Sequence, residues 1–263
     1  QGVIQISYPK IEGDTVDLKQ QMKVVRDNEE NLLCIHCSTS GLLDSDSQHT
    51  PRITGITVHD VTSGVQNYFS YYLVAEKMGI SKSDIKDHYD DIELNVIKYF
   101  LDFAKANEDK LWIHWNMTSV FFGFQHIEHR YQVLSGKEAY LIPNKKKFDL
   151  SSAIRSRYNL NYKGAPKMRD LMEYNHSLRE ECKDGNDEVE LFNKGDLIRL
   201  QKSTAIKAKW FSEALSLLRT NKLKVNENSI KNKIEYAIDS TPIKVLGVVA
   251  VLFSIYQLFM VLA

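Results

Sequence analysis

The longest apolar run of the chain lies at its C-terminal end. Residues Val245–Ala263 carry no charge, and Ser254, Tyr256 and Gln257 are the main polar positions among them. As a helix this run would measure roughly 28 Å, close to the thickness of a bilayer's hydrocarbon core. A buried core helix is the alternative, but such a helix normally has a polar face. The pattern therefore predicts a transmembrane helix, which we place at residues 242–263.

Positive charge lies on one side of this run. Lys244 stands at its entry, Lys231 and Lys233 lie a short way upstream, and no Lys or Arg follows. The positive-inside rule then predicts a single-pass membrane protein whose preceding part is in the cytoplasm. The opening residues QGVIQISYPKIEGD lack the apolar core of a signal peptide, which agrees with that orientation.

Upstream of the run, short apolar segments alternate with amphipathic ones. Leu32–His36 and Leu111–His114 are short and apolar, which is typical of buried strands. Arg52–His59 alternates and is rich in β-branched residues, and the aromatic segment Gly64–Tyr72 is expected to pair with it as a hairpin. Helical patterns occupy much of the rest, with Asp149 as an N-cap candidate. The predicted helices are Asp17–Arg26, Asp91–Ala106, Thr118–Leu134, Leu150–Tyr158 and Lys167–Tyr174.

Strand patterns are missing after about residue 180. The predicted helices there are Asp187–Lys194, Leu197–Thr220 and Asn228–Ile238. One apolar stripe of the second contains Ile206, Trp210, Ala214 and Leu217. The chain thus divides into an N-terminal extension (1–31), an α/β domain (32–180), a helical neck (181–241) and a transmembrane helix (242–263).

Composition argues against two classes of protein: those that attract nucleic acid through a large net charge, and those held together by disulfide bonds. The chain has 34 basic and 34 acidic residues, so no net charge attracts nucleic acid to the whole molecule. Cys34, Cys37 and Cys182 are too few for a disulfide framework, which favours reduced thiols in the cytosol.

Three local features carry a resemblance to a known family. Ile35-His-Cys-Ser-Thr-Ser-Gly-Leu ends the first strand, Pro51-Arg-Ile-Thr-Gly-Ile-Thr-Val forms the second, and Trp112-Ile-His-Trp-Asn ends the fourth. Together with the order strand, strand, strand, helix, strand, helix, these segments resemble ribonuclease H-like domains, and among them the proofreading exonucleases with four catalytic acids. The resemblance covers roughly residues 32–174. It implies a mixed sheet with flanking helices.

The chain departs from the family at the catalytic acids. The first two metal ligands of the family would fall at His36 and Ser38, and the segment after Asn116 has no acid where the third is expected. Magnesium prefers hard oxygen ligands, and two-metal phosphodiester cleavage needs the carboxylates that hold both ions. The resemblance therefore implies a non-catalytic relative without a metal cofactor. Mg²⁺ or Mn²⁺ belongs only to the alternative of an active domain with rearranged ligands, such as Asp44, Asp46 or Asp60.

Other residues offer weaker chemistry. Cys34, His36 and Cys37 suggest zinc, but on a strand Cys34 and His36 share a face while Cys37 points away. Buried core thiols are the alternative that we prefer. Lys145–Lys147 is a basic run in a loop, which is either solvated or in contact with phosphate or anionic lipid.

A ligand cleft follows from the resemblance. The first and fourth strands of ribonuclease H-like domains are adjacent, which would bring His36 and His114 to neighbouring strand ends. A cleft with His and Arg but no acids favours an anion such as a nucleotide or phosphate, which is expected to bind better at low pH. The candidate ligand-binding residues are His36, Ser38, His114, Asn116, His129 and Arg130. For His129 and Arg130, an exposed helix face is the alternative.

Two function classes remain open. The first is a membrane-tethered sensor, acting in defence or stress, that binds a nucleotide, a nucleic acid or a protein partner. Its neck and transmembrane helix would form a homo-oligomer and pass the bound state to the membrane. The second is a membrane-anchored, metal-dependent hydrolase.

Overall fold

The chain folds around one mixed sheet. The computed structural model describes residues 18–41, 50–119, 122–160 and 165–226, which form an α/β structure with a five-stranded sheet and flanking helices. The strands are β1 (Leu32–Thr39), β2 (Ile53–Asp60), β3 (Gln66–Ser70), β4 (Leu111–His114), β5 (Thr118–Ser119), β6 (Phe122–Gly123) and β7 (Lys147–Asp149). The helices are α1 (Leu18–Asp27), α2 (Tyr71–Lys77), α3 (Tyr89–Ala106), α4 (Phe124–Ser135), α5 (Leu150–Arg157), α6 (Met168–Tyr174), α7 (Gly185–Asn193) and α8 (Leu197–Arg219). Short 3₁₀ turns lie at Glu29–Asn31, Ile85–His88 and Asn144–Lys146.

The sheet has the strand order β3-β2-β1-β4-β7. β1 pairs antiparallel with β2, and β2 pairs antiparallel with β3. β4 is parallel to both β1 and β7. The expected neighbourhood of the first and fourth strands is therefore confirmed, and the carboxyl ends of β1, β4 and β7 meet at one edge of the sheet.

Each face of the sheet has its own core. β1 is buried along its whole length and alternates between them. Leu33 and Ile35 pack with α2, α3 and α4, whereas Cys34 packs with α1, α5, α6 and α8. Near-continuous burial of this kind is typical of a strand that is covered on both sides.

The strand and helix predictions hold for most elements, but β1 continues three residues past its predicted end at His36, to Thr39, and two other boundaries differ. The segment Gly64–Tyr72 contains β3, but its last residues begin α2, because the Ser70 hydroxyl accepts a hydrogen bond from Leu73 N and caps that helix. The helix predicted from Thr118 starts instead at Phe124, after the short β5–β6 hairpin.

Backbone geometry explains the late start of α4. Gly123 has φ +111°, and a Cβ at this position would lie 2.4 Å from the carbonyl oxygen of Met117. Only glycine tolerates both conditions, so the hairpin closes directly onto the end of β4. The single glycine in an otherwise helical pattern was the available signal for this break.

The segment predicted as a neck is part of the core where the structure describes it. α8 packs on β1 and β2, and Trp210, Phe211 and Ala214 share a core with Cys34 and Ile113. The sequence boundary at residue 181 therefore does not separate two packed bodies: a 23-residue helix with a wide apolar stripe covers the sheet instead.

The remaining C-terminal predictions cannot be compared with the fold. The helix at Asn228–Ile238 and the transmembrane helix at residues 242–263 lie outside the described residues. Within the part of the chain that the structure describes, no helix combines the length and apolar character needed to cross a membrane.

Candidate ligand-binding cleft

The carboxyl-terminal half of β1 carries a buried histidine, His36. His36 is 6% exposed and lies on the face that α8 covers. Its ring packs edge-on against Phe211 of α8, with centroids 5.9 Å apart, and lies 6.3 Å from the ring of Phe122. Both imidazole nitrogens are buried and have no hydrogen-bond partner among the described residues. Such an unpaired polar group is costly inside a protein and therefore calls for an explanation.

A buried ion pair stands beside this histidine. Lys207 of α8 places Nζ 2.7 Å from Oε1 of Glu188 on α7, and both side chains are almost fully buried. The Ser203 hydroxyl donates a second hydrogen bond of 2.6 Å to the same carboxylate oxygen. A lysine on the sheet side of α8 thus sits over the end of β1, held by one carboxylate.

Burial sets the protonation of this cluster. It lowers the pKa of His36 well below its ordinary value, and the nearby Lys207 ammonium lowers it further. Burial also raises the pKa of Glu188, although Lys207 and Ser203 oppose that shift. His36 is therefore neutral near pH 7 and offers one N–H donor and one nitrogen acceptor.

These residues line a cavity of about 550 Å³, which we call the ligand cleft. Its defining residues are His36, Ser38, Trp115, Asn116, Phe122 and Lys207. Trp115 is half-buried and stacked on Phe211 at 18°, and Phe122 is also half-buried. The cleft combines aromatic walls with polar and charged side chains, and its volume lies in the range of small-molecule sites.

Charge at the cleft favours an anion. Its three carboxylates are already engaged: Asp170 accepts from the Lys167 amide, Asp184 caps α7, and Glu188 pairs with Lys207. Three cations of the same lining make no salt bridge among the described residues; they are Lys167, Arg169 and Lys183. An incoming anion would therefore meet cations that have no competing acid.

His114 lies at the same sheet edge but on the other face. β1 and β4 are in parallel register with Cys34 opposite Ile113, so His36 shares a face with Ile113 and not with His114. The His114 ring packs edge-on against Phe124 of α4, at 5.3 Å. The prediction that both histidines line one cleft is therefore wrong: His36 and His114 lie on opposite faces of the sheet.

Asn116 lines two cavities, one beside each of the two histidines. It adopts φ +50°, and its amide donates to Asp149 Oδ1 at 3.1 Å. Asn116 lines the ligand cleft and also a second cavity that contains His114. Asparagine is one of the few residues that readily takes this left-handed conformation, which turns the chain from β4 towards the hairpin.

Neither histidine can provide the expected binding response near neutral pH. Burial lowers the pKa of His114 to about 4, with Lys147 adding to the shift and Asp149 opposing it. The pKa of His36 is also far below its ordinary value. Stronger anion binding through histidine protonation would therefore appear only at acid pH.

The two candidates on α4 take no part in the cleft. Arg130 donates from Nε and Nη2 to the carboxylate of Glu93, at 2.7 and 2.6 Å. Glu93 is fully buried and also accepts from the Ile53 amide at 2.9 Å, so this network ties α3 and α4 to β2. His129 is exposed on the outer side of α4. The exposed-face alternative therefore holds for His129, and Arg130 is structural.

The residues of the cleft do not fit Mg²⁺ or Mn²⁺. Within the described part of the chain, no group of three His, Cys, Asp or Glu side chains could hold a metal ion. Asp60 stands opposite Leu33, at the other end of β1, and its carboxylate accepts from the amides of Thr62 and Ser63. Asp44 and Asp46 lie outside the described residues.

The cysteines are core residues. Cys34 and Cys37 belong to the cores on opposite faces of the sheet, as strand alternation predicts. Burial raises the pKa of Cys34 and raises that of Cys37 to about 12, so both thiols stay protonated near pH 7. Because the two thiols lie on opposite faces of the sheet, they cannot bind one zinc ion together.

Sequence reasoning missed Glu188 and Lys207. Both fall in the segment interpreted as a neck, where a charged residue on a helix is normally solvated. The available signal was position: Lys207 lies three residues before Trp210 and seven before Ala214, on the predicted apolar stripe. A lysine inside such a stripe is buried only if it has a partner.

No protein-family model, no curated protein and no solved structure matches this chain. Its chemistry therefore has to follow from its own residues and their geometry.

Proposed function

We propose that this protein is a membrane-tethered cytoplasmic sensor that binds a nucleotide-type ligand in the ligand cleft. The observation that carries the proposal is the buried pair of His36 and Lys207 at the end of β1. The His36 ring has no hydrogen-bond partner among the described residues, and together with the Lys207 ammonium, which Glu188 holds, it faces a cavity with aromatic walls. A base stacked on Trp115 or Phe122 with a phosphate near Lys207 would use both kinds of wall.

The sheet supports a ribonuclease H-like origin for the domain. β1 lies between β2 and β4, three strands are antiparallel, and β4 and β7 continue the sheet in parallel to β1. The end of β1 is also where the resemblance would put the catalytic acids. In this chain that place holds His36, Ser38 and, from α8, Lys207. Lys207 is paired with Glu188, but Lys167, Arg169 and Lys183 of the same lining form no salt bridge among the described residues, so the cleft favours an anion over a divalent metal.

The runner-up is a membrane-anchored, metal-dependent hydrolase. The position of Asp60 disfavours this alternative. Its carboxylate accepts hydrogen bonds from two amides of its own turn and lies at the opposite end of β1 from the cleft. Asp44 and Asp46 remain the acids on which this alternative depends.

A metal-titrated nuclease assay separates the two functions. The full chain in detergent should not digest single-stranded DNA or RNA with Mg²⁺ or Mn²⁺, because the three carboxylates of the cleft are already engaged and no group of acids among the described residues fits a metal ion. Digestion that EDTA abolishes, and that Asp44→Asn or Asp46→Asn removes, would establish the hydrolase and overturn the proposal.

The membrane part of the proposal rests on sequence. The uncharged run Val245–Ala263 has the length of a membrane span, and Lys244 precedes it. α8 packs on the cleft face and precedes this run in the sequence, so we propose that a ligand that shifts α8 acts on the membrane segment. We further propose that the segment supports homo-oligomers, which cross-linking of the full chain in membranes tests.

A further inference from the structure

A second cavity lies along the edge strand β7. It has a volume of about 620 Å³ and we call it the edge cavity. Its defining residues are His114, Asn116, Phe124, Lys145, Lys147 and Arg155. It shares Asn116 with the ligand cleft, whereas His36, Ser38 and Lys207 do not line it.

A buried histidine lines the edge cavity. His114 is 2% exposed, and its Nδ1 accepts a 3.3 Å hydrogen bond from the Met117 amide. A neutral imidazole that accepts at Nδ1 carries its proton at Nε2. Among the described residues nothing accepts a hydrogen bond from that Nε2–H, and His114 lines the cavity.

The edge cavity is lined by more cationic side chains than carboxylates. Lys145, Lys147 and Arg155 line the edge cavity together with one carboxylate, Asp149. That carboxylate accepts from the amides of Asn116, Ser151 and Ser152 and from the Ser152 hydroxyl. Because Asp149 is committed to these four donors, it forms no salt bridge with the lysines.

Lys147 is partly withdrawn from water. Its ammonium lies 4.6 Å from the centroid of the Phe124 ring, and burial lowers its pKa although Glu128 opposes the shift. Lys147 forms no salt bridge among the described residues, and its one recorded hydrogen bond is a 3.4 Å contact to Asn144. A partly dehydrated ammonium ion gains more from an anionic partner than an exposed one does.

The remaining walls are apolar. Val24, Leu111 and Phe148 line the edge cavity beside the cations. The volume lies in the range of small-molecule sites and exceeds what a free phosphate would fill. A phosphomonoester offers close to two negative charges and three acceptor oxygens, and so suits two lysines and an imidazole N–H.

We propose that the edge cavity binds a small phosphomonoester that carries an apolar or aromatic group. The phosphate lies among His114 Nε2, Lys145 and Lys147, and the organic group rests on the apolar wall. This site does not depend on the function proposed for the ligand cleft.

Phenyl phosphate is a suitable probe, with methyl phosphate and benzoate as its two halves. The full chain in detergent should bind phenyl phosphate saturably, and both halves should bind more weakly. Lys147→Gln and Lys145→Gln should each raise the dissociation constant about tenfold. Lys146→Gln is the matched control, because Lys146 belongs to the same basic run but does not line the edge cavity and donates to the Asp109 carbonyl. It should leave binding within about twofold of the native chain.

Three outcomes would overturn the proposal. Equal weakening by Lys146→Gln and Lys147→Gln would show general attraction by the basic run. Loss of phenyl phosphate binding in His36→Leu would place the probe in the ligand cleft. Absence of saturable binding at millimolar concentrations would exclude the site.

A spectroscopic readout separates binding from folding. The imidazole ¹⁵N signals that disappear in His114→Asn belong to His114. Phenyl phosphate should shift the Nε2 signal of that residue in the native chain, and not those of His36. An unchanged His114 signal at saturation would also contradict the proposal.

Discussion

His36 and His114 show how one residue of register decides the surroundings of a side chain. His114 ends β4, and His36 lies three residues before the end of the adjacent parallel strand β1; both are buried, yet His36 packs under α8 and His114 under α4. Sequence alone placed each histidine at the end of its strand. It could not say which face each occupies, because the register of β4 against β1 depends on how α3 crosses the sheet and packs.

Burial of His114 should make stability depend on pH. The unfolded chain takes up the proton near pH 6.5, whereas the folded chain does so only near 4. The contribution is therefore complete above about pH 6.5 and is lost as the pH falls towards 4. The free energy of unfolding should drop by roughly 3 kcal/mol over this range from His114, and buried His36 acts in the same direction.

Urea unfolding at a series of pH values measures this effect. His114→Asn keeps an acceptor near the Met117 amide but cannot titrate, so its stability should vary less with pH. If the free energy of unfolding changes equally with pH in the native chain and in His114→Asn, His114 does not have the lowered pKa that its burial requires.

At the scale of elements, the sequence located those with strong periodicity and missed those defined by local geometry. β1, β2, β4, α1, α3 and α5 follow apolar patterns, and the Asp149 side chain caps α5 as predicted. β7 has three residues, which is too short for a pattern. α2 follows β3 without a loop, so the aromatic run Gly64–Tyr72 does not show where the strand ends.

α8 is the element with the largest change in interpretation. Its apolar stripe predicts the surface of a helical neck, because the sequence shows no strand pattern after about residue 180 that it could cover. The sheet partner lies far back in the sequence, at β1 and β2. The periodic stripe shows that one side of α8 is buried, but it does not identify the strands that cover that side.

The buried pair of Lys207 and Glu188 should hold α7 and α8 together. Lys207→Met leaves the Glu188 carboxylate buried without its counter-ion and should lower the free energy of unfolding by about 3 kcal/mol. Glu188→Leu combined with Lys207→Met removes both charges and should recover most of that loss. Denaturant unfolding of the two single variants and the double variant tests this coupling. Losses that simply add would show that the two side chains do not interact.

At the scale of the whole molecule, the chain combines a sheet-based domain with an uncharged, apolar C-terminal run. Deleting residues 245–263 should turn a protein that requires detergent into one that is monodisperse in plain buffer, because this run holds the uninterrupted apolar surface. Sedimentation of membranes from cells expressing either form checks this. A full chain that is monodisperse without detergent and absent from the membrane fraction would remove the tether.

The central claim is that His36 and its surroundings bind a nucleotide-type ligand without a metal. His36→Leu removes both ring nitrogens and keeps an apolar side chain of similar reach. His59→Leu is the matched control, because His59 is equally buried on the neighbouring strand, shares the face of Cys34 and has an unpaired Nδ1, yet does not line the ligand cleft.

The most direct measurement is fluorescence polarisation of labelled mononucleotides and short single-stranded oligonucleotides with the full chain in detergent and EDTA. At least one class should bind without metal, and His36→Leu should raise its dissociation constant about tenfold while His59→Leu leaves it nearly unchanged. Binding that requires Mg²⁺ or Mn²⁺, equal effects of the two variants, or no binding by any of these ligands would contradict the claim.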